Sequence, residues 1–336
     1  MQGGELATAP VVVCATGNGL VIGTDAGEWR SVAGDQLRAL PATGAMSAVG
    51  VDAAGLLHVA CWEPSVKQLR DGAWTEVALG AVPLALTSIG RVARRPDANP
   101  DGLARAGMTD DAGSLVAGDS GGGLAIVPTT ARIPVQELTA PDAIVELHAL
   151  GDALVVLGAR GAVGVTAWPR VPDAPLVSID TAAIGRVYAG FAGMRDGTLI
   201  LAGRRGLGIL ERDRVTAVTE LHDPIRTVAA FRDHGRACVV TDAGDAWLVD
   251  ATLARVGRLQ LGDPLAGVVP APDGSVLAWT LAGAMYVVNR EGKTTRIAEG
   301  DVVLGAPDPS DPHGYLAVHW TQAGGARVTR GRAPWI

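Results

Sequence analysis

Aromatic residues make up only 4% of this 336-residue chain, so any core has to be built from aliphatic side chains and alanine. Lysine is almost missing. Of 28 basic residues, all but Lys67 and Lys293 are arginine. With so much Ala, Gly and Val, that bias fits the codon usage of a GC-rich bacterium and by itself marks no arginine for function. Cysteine is scarce too: Cys14, Cys61 and Cys238 are odd in number, and each lies in or beside an apolar run. Buried thiols in a reducing cytosol are expected, and the lack of CxxC or HxxxH spacing argues against a metal centre. No run approaches the ~20 apolar residues that span a bilayer. The start, MQGGELATAPVVVCATG, lacks the basic and apolar stretches of an export signal. A soluble, cytoplasmic protein is the expectation. The net charge of −7 argues against a nucleic-acid-binding surface covering the molecule.

What is present is repetition. Eight segments share one form: GLVIGTDAGEWRSV from Gly19, LLHVACWEPSVKQL from Leu56, SLVAGDSGGGLAIV from Ser114, LVVLGARGAVGVTAW from Leu154, LILAGRRGLGIL from Leu199, CVVTDAGDAWLV from Cys238, VLAWTLAGAMYVV from Val276 and YLAVHWTQAGGARVT from Tyr315. Each is an apolar run, a turn rich in Gly, Asp or Ala, and a second apolar run, which is a β-hairpin pattern. Apart from the step between Leu56 and Ser114, they start about 40 residues apart. A further apolar run precedes most hairpins, and a more polar one follows. The repeats resemble β-propellers of the broad WD-repeat, quinoprotein-like and Asp-box kind, in which four-stranded blades (A to D, outward from a central channel) form a ring. The resemblance implies an all-β chain, a single propeller over residues 1–336 with eight four-stranded blades, seven being the alternative. The last repeat has little room for a D strand, and GELATAPVVV at the start matches the D-to-A passage QELTAPDAIV. Residues 3–8 are therefore expected to complete the last blade and close the ring.

Blade three is irregular. Between its A and B strands lies RVARRPDANPDGLARAGMTDDAG, whose Pro, Asp, Asn and Gly content reads as an insertion loop over 91–113. Long loops on rigid scaffolds often carry contacts, which makes Arg91, Arg94 and Arg95 candidate interaction residues. Asp97, Asp101, Asp110 and Asp111 offset them, so RNA binding is not expected.

Three motifs bear on chemistry. Gly118-Asp119-Ser120-Gly121-Gly122 resembles the GDSGG around the nucleophile of chymotrypsin-like serine proteases, which would make Ser120 the attacking hydroxyl. The likeness stops at Gly123, the family's histidine motif is missing, and the repeat alignment places Ser120 in a turn column that holds Asp25 and Asp242 elsewhere. TDAGEW and TDAGDAW, ending at Trp29 and Trp247, partly resemble the Asp-box hairpin, where the Asp ties a turn and the Trp packs between blades. Glu146 and His148 fall on one side of a strand by alternation and form the single visible acid–histidine pair of the kind that propeller enzymes place in their channel.

In propellers the B–C turns and D–A passages share a rim. That geometry puts Asp25, Trp62 with Glu63, Ser120, Arg160, Arg204 with Arg205, Asp242, Thr280 and Trp320 on one face. Arg160, Arg204, Arg205, Trp62 and Trp320 are the candidate contact residues there. The expected function is a non-enzymatic scaffold or structural subunit of a bacterial assembly. It would bind other proteins, without a cofactor, nucleic acid or membrane insertion. The alternative is a lyase, lactonase or hydrolase working in the channel, and the remote one is a trypsin-like peptidase.

Overall fold

The structure, a computed structural model, describes residues 6–332 except 34–35, 53, 80, 89–114, 128–142, 151–152, 168–175, 232–234, 272, 312, 322 and 324. Every described regular element is a β-strand, and the strands form eight antiparallel sheets in chain order. Blade 5 shows the pattern: strand A is Val187–Ala192, B is Thr198–Gly203, C is Gly206–Glu211 and D is Arg214–Glu220, each hydrogen-bonded to the next. The eight sheets cover residues 12–40, 46–78, 83–127, 144–178, 187–220, 225–259, 265–298 and 302–332. Blades 3 and 8 have three strands among the described residues, the others four. The expected insertion over 91–113, with Arg91, Arg94 and Arg95, lies outside the described residues.

Burial follows position in the blade. Strand B is flanked by A and C and by blades on both faces, so Leu57–Cys61 and Val276–Thr280 are buried at every residue. Strand D has one sheet neighbour, and Arg214–Glu220 alternates between exposed and half-buried residues, as an outer edge that must resist pairing with another chain should. The core is a set of seams. One example packs Ile200, Ala202 and Leu207 of blade 5 against Ile225, Val228 and Val239 of blade 6, with Leu221 of the connecting passage between them.

The ring closes. Each strand A touches strand A of the next blade all the way round, including blade 8 against blade 1. At that last seam Leu6 is buried among Leu316, Val318, Ala326 and Val328 of blade 8 and Leu20 and Ile22 of blade 1. This is the place Leu221 holds between blades 5 and 6. Residues 6–11, which form no strand, thus enter blade 1 as a passage from the blade 8 side. Of the expected closing strand, residues 3–5 lie outside the described residues.

Five B–C turns share one backbone. Starting from Thr24, Asp119, Gly158, Thr241 and Thr280, the first N–H donates to the fifth carbonyl and the fourth N–H donates back to the first carbonyl. The fourth residue is glycine each time (Gly27, Gly122, Gly161, Gly244, Gly283), with φ between +81° and +89°, a conformation that L side chains rarely adopt. At Gly27 a Cβ would also run into the carbonyl oxygen of Gly44. The recurring glycine is therefore the structural cause of the sequence repeat.

Candidate functional site

Two of these turns, and the blade 5 turn, tie to the passages between blades, which fixes one rim. The N–H of Leu265 donates to Gly244 O at 3.0 Å, that of Thr43 to Gly27 O at 3.0 Å, and that of Leu221 to Arg205 O at 3.1 Å. B–C turns and D–A passages do share a face. On it Trp62 is 64% exposed, and Arg160, Arg204 and Arg205 are exposed. Trp320 is half-buried, with its indole N–H aimed at Leu6 O at 3.4 Å. Its ring belongs to the blade 8–blade 1 seam as much as to the surface. Thr280 is fully buried as the last residue of strand B, and Leu281, 64% exposed, takes the outward place.

At the channel mouth strand A carries a β-bulge in seven blades. The extra residues are Ser47, Leu84, Val145, Tyr188, Arg226, Ala266 and Val303. Bulges re-aim side chains, and three of these cross to the first residue of the next strand A. Ser47 Oγ–H donates to Pro83 O at 2.7 Å, Tyr188 Oη accepts the N–H of Ile225 at 2.6 Å, and Arg226 donates to Leu265 O at 3.2 Å. Glu146 makes a similar link, accepting the N–H of Gly190 at 2.7 Å, and it also lies 3.1 Å from Nε2 of His148. The pair is real and half-buried, but its carboxylate also anchors blade 5. Among the described residues, no three His, Cys, Asp or Glu side chains gather as a metal site.

Ser120 sits in one of the five shared turns. Asp119 Oδ1 accepts the N–H groups of Gly121 and Gly123, both at 2.8 Å. The carboxylate beside Ser120 thus holds the turn, and among the described residues no histidine is bonded to Ser120. Ser120→Ala is expected to leave folding and partner binding unchanged, and a fluorophosphonate probe should not label the wild-type protein. Stoichiometric labelling that disappears in the alanine variant would contradict this. Cys14 and Cys238 are poor nucleophiles as well, since burial pushes both thiols up to about 12.

The two Asp-box-like tryptophans differ. Trp29 is fully buried and donates its indole N–H to Thr43 Oγ1 at 3.0 Å, across the blade 1–blade 2 seam. Trp247 is half-buried, with the guanidiniums of Arg255 and Arg258 over its ring at 4.4 and 5.3 Å. Neither turn uses the Asp as a cap in the way Asp119 does. Thr24 Oγ1 accepts the N–H of Glu28, and Asp242 faces Arg226. Sequence reasoning missed Arg186, Tyr188, Arg226 and Leu281. For Tyr188 and Arg226 the signal was a column, since each directly follows the first apolar residue of its strand A.

Comparison with solved structures agrees on architecture. BamB from Moraxella catarrhalis superposes with a TM-score of 0.64 at 14% identity, over 96% of this chain and 99% of that one. The chain is a β-propeller. The BBS1N chain in a complex with ARL6DN matches this propeller with a TM-score of 0.59 at 13% identity, over 100% of this chain and 95% of that one. The WD40 propeller domain of Doa1 matches with a TM-score of 0.54 at 12% identity, over 86% and 93%. No family model matches the propeller, and no curated protein matches it significantly in sequence.

Proposed function

We propose that this propeller is a non-enzymatic protein-interaction platform, a subunit of a multiprotein assembly in the bacterial cytoplasm. The observation that carries the reading is the rim. Its backbone is locked by repeated hydrogen bonds, yet it leaves Trp62 and Leu281 each 64% exposed on the face that also carries Arg160, Arg204 and Arg205. Large apolar side chains held open on a rigid frame are what a partner surface uses, because little conformational entropy is lost on binding. Neighbouring folds point the same way: one matching propeller, BBS1N, was crystallised in complex with ARL6DN.

Two variants test it, Trp62→Ser and Arg204→Glu/Arg205→Glu, compared with wild type by quantitative affinity capture from the native host. Both should keep the wild-type melting temperature, because exposed substitutions of this kind change stability by about 0.5 kcal/mol or less. At least one should lose a partner that wild type retains. Identical recovery by all three proteins would remove the rim from consideration and the platform reading with it.

A further inference from the structure

We infer that the arc of the rim over blades 4 to 6 binds an acidic peptide segment of a partner protein, one that also carries a large apolar residue. This rests on the platform reading above and specifies the partner's chemistry.

Arg186, Arg204 and Arg205 are brought to one place in an acidic protein. The N–H of Arg204 donates to Arg186 O at 3.0 Å. The side chain of Arg205 passes beside Gly185. Arg186 extends to Ala159 O at 2.6 Å, which sets it next to Arg160 on the neighbouring turn. Arg226, Arg258, Arg290, Arg296, Arg330 and Arg332 each face a carboxylate within 4.0 Å. Among the described residues, no carboxylate comes that close to Arg186, Arg204 or Arg205. The acids of the arc are occupied or apart. Asp242 faces Arg226, Asp180 accepts the N–H of Ala182, and Glu220 and Asp223 stay beyond ion-pair range. Three exposed guanidiniums are left to be paired from outside, and their forked donors suit carboxylates.

Tyr188 supplies the apolar half. It lies two residues beyond Arg186, is 36% exposed, and its ring is pinned by the hydrogen bond from Ile225. A fixed aromatic plate beside arginines is the composition that dominates binding energy at protein interfaces. The charge requirement is local. A polynucleotide would bring a dense run of phosphates against a chain of net charge −7 with two lysines, whereas a peptide can place a few carboxylates on the arc alone.

The test is fluorescence anisotropy with a fluorescein-labelled peptide of glutamates around one tryptophan. Its lysine counterpart and a single-stranded oligonucleotide of matched charge serve as comparisons. The glutamate peptide should bind, the lysine peptide should not, and affinity should fall with added salt. Arg204→Glu/Arg205→Glu should weaken binding by at least about tenfold. Tyr188→Ala should weaken it by about tenfold; Tyr188→Phe, which keeps the plate, should bind within about threefold of wild type. Arg214→Ser, at the exposed start of the outer strand of blade 5, should bind as wild type does. No binding, binding unchanged in the double variant, or preference for the oligonucleotide would each overturn the inference. If the peptide fails while Trp62→Ser still loses a partner in host capture, the acidic-peptide inference falls and the platform reading stands.

Discussion

Replacing Trp29 with alanine is expected to destabilise the propeller by about 3–5 kcal/mol, the range for deleting a fully buried aromatic ring. Trp29 is 0% exposed. Its ring meets Trp74 of blade 2 edge-to-face, with centroids 5.9 Å apart, and fills the space over Gly23. Truncation opens a cavity in the blade 1–blade 2 seam and leaves Thr43 Oγ1 without its donor, Trp29 Nε1. Trp29→Phe keeps most of the volume and should cost less. Urea unfolding followed by near-ultraviolet circular dichroism is the measurement. An alanine variant within about 0.5 kcal/mol of wild type, the range of an ordinary surface change, would show that the ring does not hold the seam.

The second large effect lies on the opposite side of blade 2. Asp52 and His58 have side chains with 0% exposure, and Oδ2 of Asp52 is 2.9 Å from Nε2 of His58. The other carboxylate oxygen accepts the N–H groups of Ala54 and Leu56, both at 2.9 Å, so one buried acid satisfies three donors. Asp52→Ala strands all three and should cost about 3–5 kcal/mol. The pair also sets a pH dependence. Burial holds His58 below its ordinary value of 6.5 despite the pull of Asp52, so the folded protein favours the neutral ring more than the unfolded chain does. Below about pH 6.5 the unfolded chain takes up a proton more readily than the folded one. This stability is therefore present above that pH and lost as pH falls through it, by at most about 1.4 kcal/mol per unit. His58→Gln has no proton to gain and should show a flatter decline between pH 7.5 and 5.5. Equal slopes in variant and wild type would refute the assignment.

The hairpins were readable because a positive-φ glycine at the fourth turn position recurs at almost fixed spacing, between runs that must be buried. Trp29 was readable as a packing residue for the same reason. What stayed hidden depends on convergence. The bulges at Tyr188 and Arg226 come from register with strand B, and their targets, Ile225 and Leu265, begin the next blades. No local pattern announces a bond across some 40 residues. The misplacement of Thr280 has a similar cause. As the last strand residue it points inward, and one step along the chain decides between burial and Leu281's exposure.

The shared turn has a consequence for how such a protein changes over time. In each of the five turns the two central residues, Asp25-Ala26, Ser120-Gly121, Ala159-Arg160, Asp242-Ala243 and Leu281-Ala282, are exposed, while the glycine and the backbone bonds around them stay constant. The bonds that hold each turn are made by backbone atoms, so they do not depend on which side chains stand at these positions. Acid, hydroxyl, guanidinium and aliphatic side chains already occupy equivalent sites on one frame. Drift at these pairs would alter what the face attracts while leaving the seams intact, so two proteins with this ring and these glycines could diverge in allegiance long before they diverge in shape.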